Sequence, residues 1–80
     1  MRVLTLYSAP DCHLCEEALV RLRELQEELA FEVSVCDIHQ DGALLRAYLE
    51  RIPVGELEGE ALFEFFVDEA ALRERLESRR

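Results

Sequence analysis

Eighty residues, half of them hydrophobic and a third charged, describe a globular chain with the size of one domain (1–80) and exclude a disordered tail. Nine basic residues, all Arg, stand against 18 acidic ones for a formal net charge of −9. That balance repels phosphate backbones and anionic headgroups, so nucleic acid and membrane surfaces are excluded as partners.

The chain opens with RVLTLY at 2–7, apolar and β-branched with almost no alternation, the pattern of a central strand covered on both faces. This run is too short for a membrane span or a signal-peptide core, and no small-residue cleavage site follows it. A cytoplasmic protein is therefore expected. After the punctuation SAPD, Leu14, Ala18, Leu22, Leu25 and Leu29 recur at spacings of three and four and predict one stripe of a helix. FEVSVCDI at 31–38 sets Phe31, Val33 and Val35 against Glu32, Ser34 and Cys36, a strand near a sheet edge with Phe31, Val33 and Val35 on the better-buried face. Strand, helix and strand make a βαβ unit with parallel strands and a right-handed crossover.

Asp41 is positioned to cap a second helix, ALLRAYLERI, with Leu44, Leu45, Tyr48 and Leu49 inward and Pro53 as its stop. Two short strands follow, Val54–Leu57 and Ala61–Phe66. Gly59 lies in the tight link between them, so an antiparallel hairpin is expected. Phe63, Phe65 and Phe66 are assigned to the core and one sheet face, and Gly55 to a bulge or a close backbone approach. Asp68 caps a last helix with Leu72 and Leu76 inward and an Arg-rich end. The order β-α-β-α-β-β-α predicts an α/β thioredoxin-like fold, a four-stranded mixed sheet flanked by three helices.

Three cysteines, Cys12, Cys15 and Cys36, need an explanation in a compartment where structural disulfides are rare. Cys12 falls at the start of the first helix, where unpaired N–H groups and the helix dipole favour a thiolate. Cys15 lies one turn deeper and is spaced to close a disulfide with it. A bare CxxC also suits zinc, but His13, His39 and Cys36 are scattered and supply no second ligand pair, so no metal site is assigned. Between a buried strand and an amphipathic helix the spacing points to redox chemistry. Asp11, Glu16 and Glu17 oppose the Cys12 thiolate, while the dipole and a protonated His13 favour it, and a mild net lowering of the thiol pKa is expected. Cys36 reads as buried filler and His39 as a surface loop residue.

The segment YSAPDCHLC resembles the YxxPxCxxC active-site segment of glutaredoxins, and RIPVGELEG resembles their cis-proline segment. The chain is most similar to small bacterial glutaredoxin-like proteins with a CHLCEEA-type helix start. The resemblance implies that Cys12 is the exposed nucleophile and Cys15 the resolving thiol. It further implies that Pro53 is a cis proline facing them and that the Ile52 backbone pairs with an extended substrate. Three features depart from the glutathione-using members. Ala9 stands where a basic residue is usual, and FFVDEAAL replaces a Gly-Gly pair followed by an acidic residue. Asp11 also stands where Gly is common. Asp68 and the start of the last helix remain candidates for one end of glutathione.

The expected activity is thiol-disulfide exchange on protein disulfides or glutathione mixed disulfides. It requires no bound cofactor, with glutathione a candidate co-substrate, a thiol system as electron donor and a monomer as the acting unit. The rival readings are an iron–sulfur or metal carrier and a redox-inactive binding module.

Overall fold

The computed structural model describes residues 2–77 and runs in the order β1 (Val3–Ser8), α1 (His13–Leu25), β2 (Glu32–Asp37), α2 (Gly42–Tyr48), β3 (Val54–Leu57), β4 (Glu60–Glu64) and α3 (Glu69–Glu77). A short 3-10 turn over Ile38–Gln40 joins β2 to α2. The sheet order is β2-β1-β3-β4, with β1 parallel to β2 and antiparallel to β3, and with β3 antiparallel to β4. This is the thioredoxin-like arrangement, and it makes β1 a central strand, as its unbroken apolar run requires.

Alternation along β1 divides the sheet. Leu4 and Leu6 join Ala18, Leu22 and Leu25 of α1, Phe31, Leu57, Phe63 and Leu72 in one core. Each fully buried Leu contributes about 2 kcal/mol relative to exposure, so the α1 stripe is the main anchor of the helix that carries Cys15. Leu72 is buried and Leu76 half-buried, as the last helix was expected to place them. Asp41 and Asp68 cap their helices through side-chain oxygens that accept from Ala43 and Ala71 N–H, at 2.8 and 3.1 Å. The β3–β4 link is Glu58–Gly59 with φ of 55° and 86°, the two left-handed residues of a type I′ hairpin. Arg2 ties the start of β1 to the end of α3, donating to the Arg75 carbonyl at 2.7 Å and to Glu58 at 2.9 Å. Of the Arg-rich end, Arg73 and Arg75 lie in α3, while Arg79 and Arg80 lie outside the described residues.

Four local expectations are corrected. Val35 is 48% exposed, because β2 is an edge strand with a neighbour on one side alone. Cys36 is half-buried rather than sealed in the core, on the strand face it shares with Tyr7, its partner in register. The second helix ends at Tyr48, several residues before Pro53, which leaves Leu49 as an exposed cap. β4 ends at Glu64, so only Phe63 of the three phenylalanines is buried. Phe65 and Phe66 are 41% and 68% exposed.

Gly55 does mark a close approach. A Cβ there would overlap the Phe63 ring, and the β3–β4 register shifts between Gly55 and Glu56.

Candidate active site

β1 delivers the chain to the site. After Ser8 a tight turn passes through Asp11, whose φ of 61° is one that Asp tolerates better than most side chains and Gly tolerates best. The φ explains why Gly is common there in the family this segment resembles. Cys12 is the extended N-cap of α1, and its Sγ accepts the Cys15 N–H at 3.2 Å. A cysteine sulfur thus occupies the place where a Ser or Asp oxygen ordinarily caps a helix. The same N–H and the positive end of the helix would hold a thiolate there.

Cys12 and Cys15 form a disulfide with their Cα atoms 5.2 Å apart. Cys12 is half-exposed, while Cys15 is 4% exposed and faces the core on the Ala18–Leu22 stripe. An accessible sulfur with a sheltered mate is the geometry of attack followed by resolution. Among the described residues no three His, Cys, Asp or Glu side chains converge as metal ligands.

The Ile52–Pro53 bond is cis. Pro53 is buried and leads directly into Val54, which pairs with Tyr7 near the end of β1. The proline loop and the Cys12 turn therefore leave the sheet at the same end. Ile52 is half-exposed, and its N–H already donates to the Tyr48 carbonyl at 3.1 Å.

The Pro53 carbonyl accepts the Phe65 N–H at 2.8 Å, and Phe66 N–H turns back to the Glu64 carbonyl at 2.7 Å. This is a three-residue γ-turn centred on Phe65, whose φ is 68°. A cleft of about 180 Å³ opens between this turn and α1, lined by Leu14, Glu17, Ala18, Arg21, Phe65, Phe66 and Val67.

The charges near the site are mostly negative and already engaged where positive. His13 pairs with Glu17 at 3.0 Å along the exposed side of α1. Arg21 is shared between Glu24, at 3.0 Å, and Glu69. Two hydrogen bonds from Arg21 and Arg73 hold the Glu69 carboxyl below its usual range. Asp11, Glu16 and Glu17 stand exposed around Cys12. Asp68 spends one carboxylate oxygen on the α3 cap.

Residues 3–77 match the glutaredoxin-like domain family (DUF836). The chain belongs to that family.

Two solved structures are similar to this glutaredoxin-like domain over nearly their whole lengths. A Nitrosomonas europaea protein solved by NMR in solution is 36% identical, with 95% of this chain and 92% of that one covered and a TM-score of 0.87. An X. campestris protein solved by X-ray methods is 35% identical, with 96% and 99% covered and a TM-score of 0.76. A mutant thioredoxin from Halobacterium salinarum is 28% identical, with 95% and 72% covered and a TM-score of 0.66. Among curated proteins no match was found.

Two features of the glutaredoxin-like domain were missed in the sequence. One is the cleft beside Leu14, and its signal was the pair of aromatics standing in place of Gly-Gly. The other is a Tyr7–Tyr48–Glu56 cluster on the opposite sheet face, where both phenols donate to the Glu56 carboxylate at 3.3 and 2.8 Å. Tyr7 opens the YSAPDCHLC segment and Glu56 lies within RIPVGELEG, but neither segment's pattern says that the two side chains meet.

Proposed function

We propose that this glutaredoxin-like domain is a thiol-disulfide oxidoreductase acting through Cys12 and Cys15. The observation that carries the reading is the Cys12 sulfur at the N-cap of α1, receiving the Cys15 N–H while its bonded mate is buried.

In the reduced domain the Cys12 thiolate attacks one sulfur of a substrate disulfide. A mixed disulfide forms, and the other substrate sulfur leaves as a thiolate that takes up a proton. Cys15 loses its proton and attacks the Cys12 sulfur, which releases the second substrate thiol. Two electrons and two protons have then passed to the substrate, and Cys12–Cys15 is left as a disulfide. A thiol donor system returns the pair to its reduced state, and no bound cofactor is required.

The substrate is a disulfide in a protein or a glutathione mixed disulfide. An extended segment would run past cis-Pro53 and pair with the carbonyl of Ile52, since the Ile52 N–H is already engaged. Asp11 and His13 act on the thiolate only through the field near Cys12, with His13 blunted by Glu17. Asp68 offers one free carboxylate oxygen to a glutathione amine. A reducing, cytoplasmic setting and a monomeric acting unit suit this chemistry.

The test is mutational. Cys12→Ser abolishes disulfide reduction, and Cys15→Ser accumulates a covalent domain–substrate adduct visible by mass spectrometry under non-reducing conditions. Full turnover by Cys12→Ser overturns the reading.

A further inference from the structure

The cleft beside the disulfide is built from the two segments that frame it. One wall is Leu14, between the two cysteines, with Ala18 and Arg21 behind it. The other is Phe65–Val67, strung from the Pro53 carbonyl by the Phe65 N–H. Leu14 stands between the two cysteines in sequence, so the cleft begins one residue from each arm of the CxxC and runs along α1 from there.

The backbone at this wall is strained in a telling way. Phe65 holds a φ of 68°, where glycine is at ease and a bulky side chain is an outlier. Strain kept at a site edge points to a side chain needed for function. Phe66 beside it is 68% exposed and, with Phe65 at 41%, forms a contiguous apolar edge along the cleft.

Charge narrows the occupant further. Asp11 and Glu16 are exposed and close to Cys12 in sequence, and Glu17 beside them faces His13 at 3.0 Å. Arg21, the cation bordering the cleft, is held by Glu24 and Glu69. An anionic tripeptide meets repulsion there, and a basic segment meets attraction.

We infer that the cleft is the specificity pocket of the oxidoreductase site, and that it selects polypeptide disulfides whose cysteine is flanked by an apolar side chain and by Arg or Lys. The apolar side chain packs between Leu14 and the Phe65–Phe66 edge. The basic residue lies over Asp11, Glu16 and Glu17. This rests on the thiol-disulfide reading above and adds its substrate class.

The experiment uses pre-reduced domain freed of reductant, in single turnover against three disulfides. One is a peptide with Leu and Arg beside its disulfide-bonded Cys, one the same peptide with Gly and Glu, and one oxidised glutathione. The Leu/Arg peptide is expected to react about tenfold or more efficiently than the Gly/Glu peptide, through a lower half-saturating concentration rather than a faster maximal rate. Added salt should shrink the Arg share of that preference.

Phe65→Gly suits the left-handed backbone and so folds, and it brings the two peptides towards equal efficiency, as does Phe66→Ser. Equal reaction of both peptides with the unaltered domain overturns the inference while leaving the oxidoreductase intact, as does glutathione outpacing the Leu/Arg peptide. Dimerisation in sedimentation that is abolished by Phe66→Ser would assign the cleft to a second copy and overturn it too. Failure to reduce any of the three sinks the oxidoreductase reading itself.

Discussion

Tyr7 on β1 and Tyr48 at the end of α2 lie face to face, with ring centroids 4.3 Å apart and planes 11° from parallel. Both phenols donate to the one Glu56 carboxylate, and the Arg51 guanidinium sits over the Tyr48 ring, 5.2 Å from its centroid. The stack joins the end of α2, just before the cis-proline loop, to the strand that leads into Cys12. The cluster thereby ties together the two segments that carry Cys12 and Pro53.

The cluster gives the domain an alkaline limit. The Tyr48 phenol is pushed up to about 12, chiefly by its hydrogen bond to Glu56 and then by burial. Folding thus favours the protonated phenol. That contribution is whole below the ordinary value of about 10 and is lost as pH climbs through 12. Urea unfolding across this range should show level stability to about pH 10 and a fall beyond it. In Glu56→Gln the fall should still begin near pH 10 but be smaller and complete at lower pH, and tyrosinate absorbance should show Tyr48 titrating earlier. An unmoved titration would detach Tyr48 from Glu56.

Removing one hydroxyl should cost less than removing the ring. Tyr48→Phe keeps the stack and loses a hydrogen bond to a carboxylate, a loss of about 1–2 kcal/mol. Tyr48→Ala also loses the stack and the Arg51 contact, and should be at least twice as damaging in the same denaturation experiment.

Gly55 has no room for a methyl group. Gly55→Ala drives a Cβ into the Phe63 ring and should lower stability by about 1–3 kcal/mol. Phe63→Leu in the same chain should recover part of that loss, so the two changes would be non-additive in a double-mutant cycle. Additive losses would mean that Gly55 matters for a reason other than the ring.

Asp68 separates capping from binding. Asp68→Ala removes the acceptor for Ala71 N–H and should cost about 1 kcal/mol, whereas Asp68→Asn caps as well and should leave stability unchanged. Thermal unfolding reads the difference. If Asp68→Asn also weakens glutathione use, the carboxylate grips that ligand besides capping α3.

The reduced domain should sort its thiols by place. Cys12 sits half-exposed at a helix start with an N–H on its sulfur, Cys36 lies half-buried in β2, and Cys15 is sealed beneath. Brief iodoacetamide treatment at neutral pH, read by peptide mass spectrometry, should label Cys12 first and Cys15 last. Equal labelling of Cys12 and Cys36 would deny Cys12 its helix advantage.

How much of this was legible beforehand depends on the range of the interaction. The helix stripe up to Leu25, the Asp41 and Asp68 caps and the tight turn at Gly59 are set by neighbours in sequence and were readable. Leu29, also assigned to the stripe, falls in the turn after the helix ends at Leu25. The cysteine pair was readable for the same reason, and cis-Pro53 came from resemblance to glutaredoxins. Val35, Leu49, Phe65 and Phe66 misled because apolar side chains were assumed to face the core. Their exposure depends on where an edge lies, where a helix stops and how the chain turns after β4. The Tyr7–Tyr48–Glu56 cluster joins three elements across the sheet, which no local pattern encodes.

The reach of Arg2 to the Arg75 carbonyl has a practical corollary. Both ends of the described chain meet at one pole of the domain, while β1 carries the polypeptide six residues, roughly 20 Å, towards the sulfurs at the other. A tag, surface linker or fused partner joined at Arg2 or at Glu77 would emerge from the same corner. It would hold the domain by its blunt end and leave the pole that carries Cys12 uncovered.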